Sequence, residues 1–179
     1  MTLYFITGNE QKLKEAQMII PQIKSIKLDL PEIQSLDPQE IITEKLSAAT
    51  KEQKGEFFIE DVSLYIDSLN GFPGPLIKWL LKSLKAEGIA NLVKNYENPN
   101  ATVKAVIGYT NGNDIHFFTG EIQGKIVSPK GESTFGFDQI FQPNNQNQTF
   151  AEMEKTEKNK ISHRNLALKK LKEFLETRQ

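Results

Sequence analysis

The sequence predicts an α/β fold in which helices flank a mixed β-sheet. Three observations carry this prediction. Strand-like and helix-like segments alternate in the first half of the chain, two strand-like segments later follow each other around a tight turn, and 179 residues suffice for one well-filled domain. Alternation favours parallel pairing and a hairpin is antiparallel, so the two together favour a mixed sheet. We expect one domain over residues 1–179, with a second lobe around residues 60–120.

The first half of the chain supplies the alternating elements. The continuously apolar LYFIT is typical of a buried strand, and GNEQKLKEAQMII predicts a helix with Asn9 as its N-cap. Residues 23–30, IKSIKLDL, alternate apolar and polar side chains as a half-buried strand does. In the next segment Asp37 and Glu40 have the spacing of a capping box, which predicts a helix that ends near Gly55.

The second half begins with FFIEDVSLYI, which predicts another strand. NGFPGP predicts a stiff turn with Pro75 at the first helical position, followed by a leucine-striped helix and a second helix over residues 86–96. ATVKAVIGYT and DIHFFTGEI, joined through NGN, predict a hairpin. The last predicted helix starts at Ser162 and turns an apolar stripe inward.

Composition excludes several classes of function. The net charge of −1 gives no bulk attraction for a long nucleic acid or an anionic membrane. Cysteine is absent, which excludes disulfides, thiolate zinc sites and cysteine nucleophiles. The N-terminus lacks the features of a signal peptide, and no apolar run approaches the roughly 18 residues of a membrane span. We expect a cytoplasmic protein.

The segment TGNEQK joins the first strand to the first helix. Gly8 lets the backbone turn after Thr7, and a helix that opens at Asn9 presents N–H groups and partial positive charge, which suit a phosphate. Lys12 adds a full positive charge in the first turn. Taken alone, the segment favours a plain strand-to-helix turn with a solvated lysine, because it is not a Walker A sequence.

Glu60 and Asp61 form a carboxylate pair between apolar segments. Repulsion within such a pair is expected to raise the pKa of one member unless a cation neutralises it. With no cysteine and two histidines, a metal here would be held by oxygens, which points to Mg²⁺ or Mn²⁺. Glu32, at the end of the second predicted strand, could join the cluster. The alternative is that each acid merely ends a strand.

Two lysines lie off the apolar stripes of their helices. Lys45 stands at the edge of its stripe, from which it can either extend to water or reach a triphosphate. Lys78 precedes Trp79, and both face away from the leucine stripe. Trp79 is most simply explained by packing, within the domain or across a dimer interface.

Two further segments combine aromatic and basic residues. In TFGFDQIF, Phe135 and Phe137 flank a glycine, and an exposed aromatic in such a setting can stack on a nucleobase, worth roughly 1–3 kcal/mol. In EKNKISHRN, His163 and Arg164 fall in the first turn of a helix, where the helix dipole disfavours positive charge. This misfit predicts an anionic or electron-rich group nearby. Either segment alone favours a surface-exposed turn.

The ordered set TGNEQK, DLPE, EDVSL, NGFPGPLIKW, FGFD and AEMEKTEKNKISHR resembles the inosine/xanthosine triphosphate pyrophosphatase family, from residue 2 to about residue 175. The resemblance implies Mg²⁺-dependent hydrolysis of ITP, dITP and XTP to the monophosphate and pyrophosphate, which removes deaminated purines from the nucleotide pool. It also implies a homodimer whose elongated mixed sheet leaves a central cleft between two lobes.

Site residues follow from the resemblance, position by position. The triphosphate would be bound by Thr7, Gly8, Asn9, Lys12, Lys45 and Lys78. Glu32 and Asp61 would hold the metal, Asp61 would act as base toward water, and Glu60 and Lys12 would assist it. The nucleoside would be held by Phe135, Gly136, Phe137, Asp138, Lys158, His163 and Arg164.

Two positions depart from the family pattern. Val62 stands where the family commonly has Ser or Thr, so a hydroxyl contact to substrate is lost or moves to Ser63. Leu76 stands where the family usually has Tyr. Two rival functions remain open: a pyrophosphatase for other nucleotides such as dTTP or UTP, and a nucleotide sensor without turnover. The FGFD and SHR segments argue against the first, and Glu32, Asp61 and Lys12 against the second.

Overall fold

A computed structural model describes residues 2–132 and 136–178. The described part contains five α-helices: α1 Glu10–Gln17, α2 Pro38–Glu52, α3 Ile77–Val93, α4 Lys155–Ile161 and α5 His163–Glu176. It contains seven strands: β1 Leu3–Ile6, β2 Lys24–Ile26, β3 Glu56–Ile66, β4 Pro73–Gly74, β5 Asn100–Thr110, β6 Ile115–Ile126 and β7 Phe141–Pro143. No helix in the described part is both long and apolar enough to cross a membrane.

The strands form one mixed sheet in the order β2-β1-β3-β5-β6-β7, with β4 paired to β3 outside this path. β1 pairs in parallel with β2 and with β3, whereas β4 runs antiparallel to β3 and β7 antiparallel to β6. The predicted mixed α/β class is therefore confirmed. The β1–β3 register places Phe5 opposite Phe58, and their rings stack at 4.3 Å between centroids.

The chain divides into two compact units, each with a core of its own. The first comprises residues 1–61, 105–120 and 163–179, and the second residues 62–104 and 121–162. Helix α2 supplies Ile42 and Leu46 to a cluster in the first unit, where they pack with Phe57 and Val106. The second unit has a larger cluster built on α3, β5 and the segment around Phe141.

Several element boundaries differ from the sequence-based expectation. β2 covers Lys24–Ile26 only, and the chain beyond it leaves the sheet although Leu28 and Leu30 still pack against the core. Asp37 caps α2 as predicted, by accepting a hydrogen bond from Gln39 N at 2.8 Å. The predicted capping box is wrong, because the Glu40 carboxylate accepts from the Ser35 hydroxyl at 2.6 Å instead.

Helices later in the chain show similar shifts. Pro75 lies outside α3, whose N-cap is Leu76, so its predicted place at the first helical position is wrong. The two helices expected around Ala86 are two arms of α3, separated by Lys85 in a left-handed conformation with φ of 60°. α4 was not predicted. Ser162 is the C-cap residue that follows α4, and α5 starts one residue later than predicted, at His163.

Candidate active site

The segment between β1 and α1 is shaped by local hydrogen bonds. The Asn9 carboxamide oxygen accepts from Gln11 N at 3.0 Å and from Lys12 N at 3.1 Å, which confirms the predicted N-cap. The Thr7 hydroxyl accepts from Asn9 N at 3.1 Å, so the turn is held on both sides of Gly8. These bonds fix the backbone of the first turn of α1, which carries Lys12.

A pocket of about 330 Å³ opens beside this turn. Five of the predicted site residues line it: Thr7, Gly8, Glu32, Lys45 and Glu60. Lys27 and Asp29, which sequence reasoning did not single out, line it too. Their place directly after β2 was a usable signal, because parallel strands end at a common edge of the sheet and β2 runs parallel to β1.

Lys45 extends into this pocket from α2. Its Nζ lies 3.1 Å from Glu32 Oε1, and 16% of the Lys45 side chain is exposed against 48% of the Glu32 side chain. The sequence left open whether Lys45 reaches water or a triphosphate. In the structure Lys45 pairs with the Glu32 carboxylate at the pocket wall. An anion that binds Lys45 must therefore compete with Glu32, and a cation that binds Glu32 must compete with Lys45.

Glu60 is buried at the inner side of the pocket and is neutralised by cations. Arg164 Nε donates to both Glu60 oxygens, at 2.8 and 3.0 Å, and Lys12 Nζ lies 3.9 Å from Glu60 Oε1. Desolvation pushes the pKa of Glu60 upward, but the charges of Arg164 and then Lys12 outweigh it and lower the pKa to about 2. Glu60 is therefore not the member of the pair whose pKa rises, because cations of the protein neutralise it.

Strand geometry explains why the two neighbouring acids separate. Successive side chains of a strand point to opposite faces, so Glu60 turns to α1 and α5 while Asp61 turns away from it. The charge of Asp61 still acts on Lys12. Burial lowers the pKa of Lys12, and Glu60 partly offsets this effect. Lys12 is therefore shared between two carboxylates.

Arg164 links three elements of the first unit. Besides Glu60 on β3, its Nη1 contacts the Glu15 carboxylate on α1, and Gln11 Nε2 donates to the other Glu15 oxygen at 3.2 Å. Only 3% of the Arg164 side chain is exposed. The anionic group predicted near the first turn of α5 is therefore supplied by the protein itself. Glu15 was missed because it looks like an ordinary solvated helix residue.

A metal ion at this site would need oxygen ligands from acidic side chains. Among residues 2–132 and 136–178, no group of three or more His, Asp or Glu side chains is arranged to hold a metal ion. Mg²⁺ commonly takes only one or two carboxylates from protein and fills its remaining positions with phosphate and water. Glu32 lines the pocket and Asp61 follows Glu60 in β3, and their role as the two metal carboxylates stays a prediction.

The second unit contains a separate buried ion pair. Lys158 Nζ donates to Asp138 Oδ2, and the side chains are 8% and 7% exposed. Phe137 is 6% exposed and packs edge-on against Phe141, so the exposed stacking surface predicted for it is wrong. Gly136 has φ of 59°, in the region that favours glycine. Phe135 lies outside the described residues.

The other three predicted site residues lie on β3, α5 and α3. Ser63 is buried in β3, and His163 is 5% exposed at the start of α5. Lys78 is exposed on α3, where its Nζ lies 5.4 Å from the ring centroid of Trp79. Trp79 itself is 44% exposed, so its packing within the second unit covers only part of the ring.

Comparisons with known proteins agree on one family. The Ham1 family model matches residues 3–174. The chain is 40% identical to an inosine triphosphate pyrophosphatase of Schizosaccharomyces pombe over 98% of this chain and 96% of that protein. It is 41% identical to one of Pyricularia oryzae over 99% and 95%. A solved Ham1 protein structure from Coxiella burnetii matches with a TM-score of 0.86 and 26% identity, over 98% of both chains.

Proposed function

The chain belongs to the Ham1 family, and we propose that it hydrolyses the deaminated-purine nucleoside triphosphates ITP, dITP and XTP to the nucleoside monophosphate and pyrophosphate. Relatives at about 40% identity over nearly the whole chain carry the name of inosine triphosphate pyrophosphatase. The observation that carries the proposal on this molecule is the pocket at the carboxyl ends of β1 and β2, which is lined by Lys45, the Thr7–Gly8 turn and three carboxylates.

The triphosphate binds in this pocket through fixed positive charge. Lys45 lines the pocket, and Lys12 lies behind its lining residue Glu60, with Nζ 3.9 Å from Glu60 Oε1. Each lysine is paired with a carboxylate before substrate arrives. An α–β phosphoanhydride carries heavy negative charge, so water can attack it only after that charge is neutralised. Phosphate oxygens compete with Glu32 for Lys45, while Lys12 keeps Glu60 beside it.

Glu32 and Asp61 are the carboxylates that would hold Mg²⁺, for which Mn²⁺ could substitute. The bound ion would supply electrostatic stabilisation of the phosphate oxygens. Asp61 turns away from the Arg164 network and accepts the proton of the attacking water, a role that typically contributes about 10²–10⁴-fold. Glu60, ionised and paired with Arg164 and Lys12, positions those two cations instead of transferring a proton.

Selection among purines follows from hydrogen-bond complementarity. Hypoxanthine and xanthine offer a 6-oxo acceptor where adenine offers an amino donor. A site that directs N–H donors at that oxygen would place them against the amino group of adenine, which is itself a donor. Such a mismatch can give roughly 10⁴–10⁵-fold discrimination. We assign the remaining base and sugar contacts to Asp138, Lys158 and His163, as the family resemblance implies.

The proposal is tested with a panel of nucleotides. Purified protein is incubated with ITP, XTP, dITP, ATP, GTP and dTTP, with and without Mg²⁺, and pyrophosphate release is measured. Metal-dependent release from ITP, XTP and dITP with little from ATP or GTP is expected. Hydrolysis of all nucleotides alike would contradict the selectivity, and ITP binding without turnover would point to a sensor.

The assembly and location of the enzyme are part of the same proposal. We propose a cytoplasmic homodimer, as the family resemblance implies, acting on free nucleotides without nucleic acid or membrane as partner. A net charge of −1 agrees with the absence of a nucleic-acid partner. Light scattering after size exclusion is expected to give twice the monomer mass of 20.3 kDa, and a monomer mass would contradict the dimer.

A further inference from the structure

Gly120 on β6 lies where α5 contacts the strand with no side chain between them. A Cβ atom built on Gly120 would overlap the carbonyl oxygen of His163 and lie 2.6 Å from the Ala167 nitrogen. Ordinary contacts of a Cβ begin near 3.4 Å. The obstructing atoms are backbone, so no rotamer change could remove them. A glycine within a strand often marks such a close approach of another backbone.

The requirement for glycine at this position is spatial and not conformational. Gly120 is absent from the glycines of positive φ, so an L-residue could adopt its backbone angles. An L-residue at position 120 would, however, displace the first turn of α5, because its Cβ would overlap backbone atoms there. A second tie acts at the same point, because Lys170 Nζ donates to the Thr119 carbonyl at 2.6 Å.

The turn held by Gly120 carries the buried cation of the site. His163, whose carbonyl oxygen faces Gly120, is followed by Arg164, whose Nε reaches both Glu60 oxygens at 2.8 and 3.0 Å. To clear a Cβ at residue 120, the turn would have to withdraw by at least about 0.8 Å from the Ala167 contact alone. A displacement near 1 Å can cost about 10²-fold in rate.

We propose that Gly120 is a positioning residue for hydrolysis: by lacking a side chain it lets α5 approach β6 closely enough for Arg164 to hold Glu60 at the pocket. The inference rests on the proposed function, since it assigns Gly120 a role in that reaction. It acts through Arg164, so substitutions at the two positions must be non-additive.

The test compares Gly120→Ala with Gly124→Ala on the same strand. A Cβ at Gly124 would overlap the Gln142 carbonyl oxygen and lie 2.7 Å from the Phe141 ring, both in the second unit. Gly124→Ala therefore introduces a comparable clash with backbone, but the clash does not involve α5. ITP kinetics are measured well below the melting temperature of each variant. Gly120→Ala is expected to lower kcat/KM by about 10–100-fold, and Gly124→Ala to leave it near the wild-type value. Equal losses in the two variants would overturn the proposal.

A double-mutant cycle with Arg164→Lys provides the readout that a merely structural role would not change. If Gly120 acts through Arg164, Gly120→Ala lowers kcat/KM little further once Arg164 is replaced. Multiplicative losses would overturn the proposal. Should Gly120→Ala fail to fold, Lys170→Met takes its place in the cycle, with a smaller loss and the same non-additivity expected. A wild-type protein without turnover would overturn the proposed function and this inference with it, whereas an active wild type with multiplicative losses overturns the inference alone.

Discussion

Replacing Glu60 by Gln is expected to remove a pH-dependent part of the stability of the first unit. The Glu60 side chain is 1% exposed and lies 2.8 Å from Arg164 Nε. Gln keeps the shape but not the charge, so Arg164 is left with Glu15 and Lys12 loses its nearest partner. Removing one member of a buried ion pair typically costs about 3–5 kcal/mol, because the other charge remains buried.

The size of the pH-dependent part follows from the pKa of Glu60, which is about 2 in the folded protein against 4.5 for the free side chain. A carboxylate whose pKa is lowered by folding contributes stability that is complete above the unfolded pKa and is lost as the pH falls toward the folded one. The contribution is roughly 3 kcal/mol at neutral pH, and about 2 kcal/mol of it is lost by pH 3.

The assay is urea unfolding of the wild type and Glu60→Gln at pH 7 and at pH 3, with a chelator present. The difference in unfolding free energy between the two proteins is expected to shrink by about 2 kcal/mol at the lower pH. Glu32→Gln is the control, because its half-exposed side chain forms an ion pair that contributes little. A wild-type advantage that stays constant between the two pH values would refute the reasoning.

Three further predictions concern single side chains. Asp61→Asn is expected to lower kcat for ITP by about 10²–10⁴-fold with little change in nucleotide affinity; equal losses of both in kinetic and equilibrium binding measurements would contradict its role as base. Lys45→Met removes the lysine that pairs with Glu32, so Mn²⁺ measured by electron paramagnetic resonance without nucleotide should bind up to about five-fold more tightly, and unchanged affinity would contradict the competition between Lys45 and metal. Burial and the hydrogen bond from its hydroxyl to Glu56 raise the pKa of Tyr109 to about 12; its stabilising effect is therefore complete below pH 10 and lost as the pH rises toward 12. Absorbance titration should reveal one tyrosine near pH 12 that is missing in Tyr109→Phe, and identical titrations would contradict this.

Elements with strong local signals were predictable from the sequence. The Asn9 and Asp37 caps formed as expected because their side-chain oxygens meet the N–H groups of the following turn without help from elsewhere. The mixed sheet followed from the order of strands and helices. β2 proved shorter than its alternating pattern because apolar side chains after Ile26 pack against the core without joining the sheet.

The electrostatics of the site were not predictable from neighbours in the sequence. The adjacent Glu60 and Asp61 predicted a site for a bound cation, but the cation that pairs with Glu60 is Arg164, which lies 104 positions away in the sequence. Arg164, in the first turn of α5, likewise predicted an anionic ligand, because its carboxylate partners are distant in the sequence. The sequence shows no partner for the charge of Glu60 or of Arg164, and the fold pairs them with each other.

Gly120 illustrates a different limit. Glycines in GFPGP and TGNE stand out because turns call for them, whereas a glycine in the middle of a predicted strand reads only as a weak position. Its significance depends on which helix packs there and at what distance, and this is fixed by tertiary structure. Lys27 and Asp29 differ from Gly120, because their position after a strand that pairs in parallel with β1 was a signal that sequence reasoning could have used.

The most direct test of the account is the identity of the products formed from ITP in the presence of Mg²⁺. Anion-exchange separation of the reaction is expected to give IMP and pyrophosphate in equal amounts, which places hydrolysis at the α–β phosphoanhydride. IDP with inorganic phosphate would place it at the terminal phosphate and would contradict the assignment of this pocket to a pyrophosphatase.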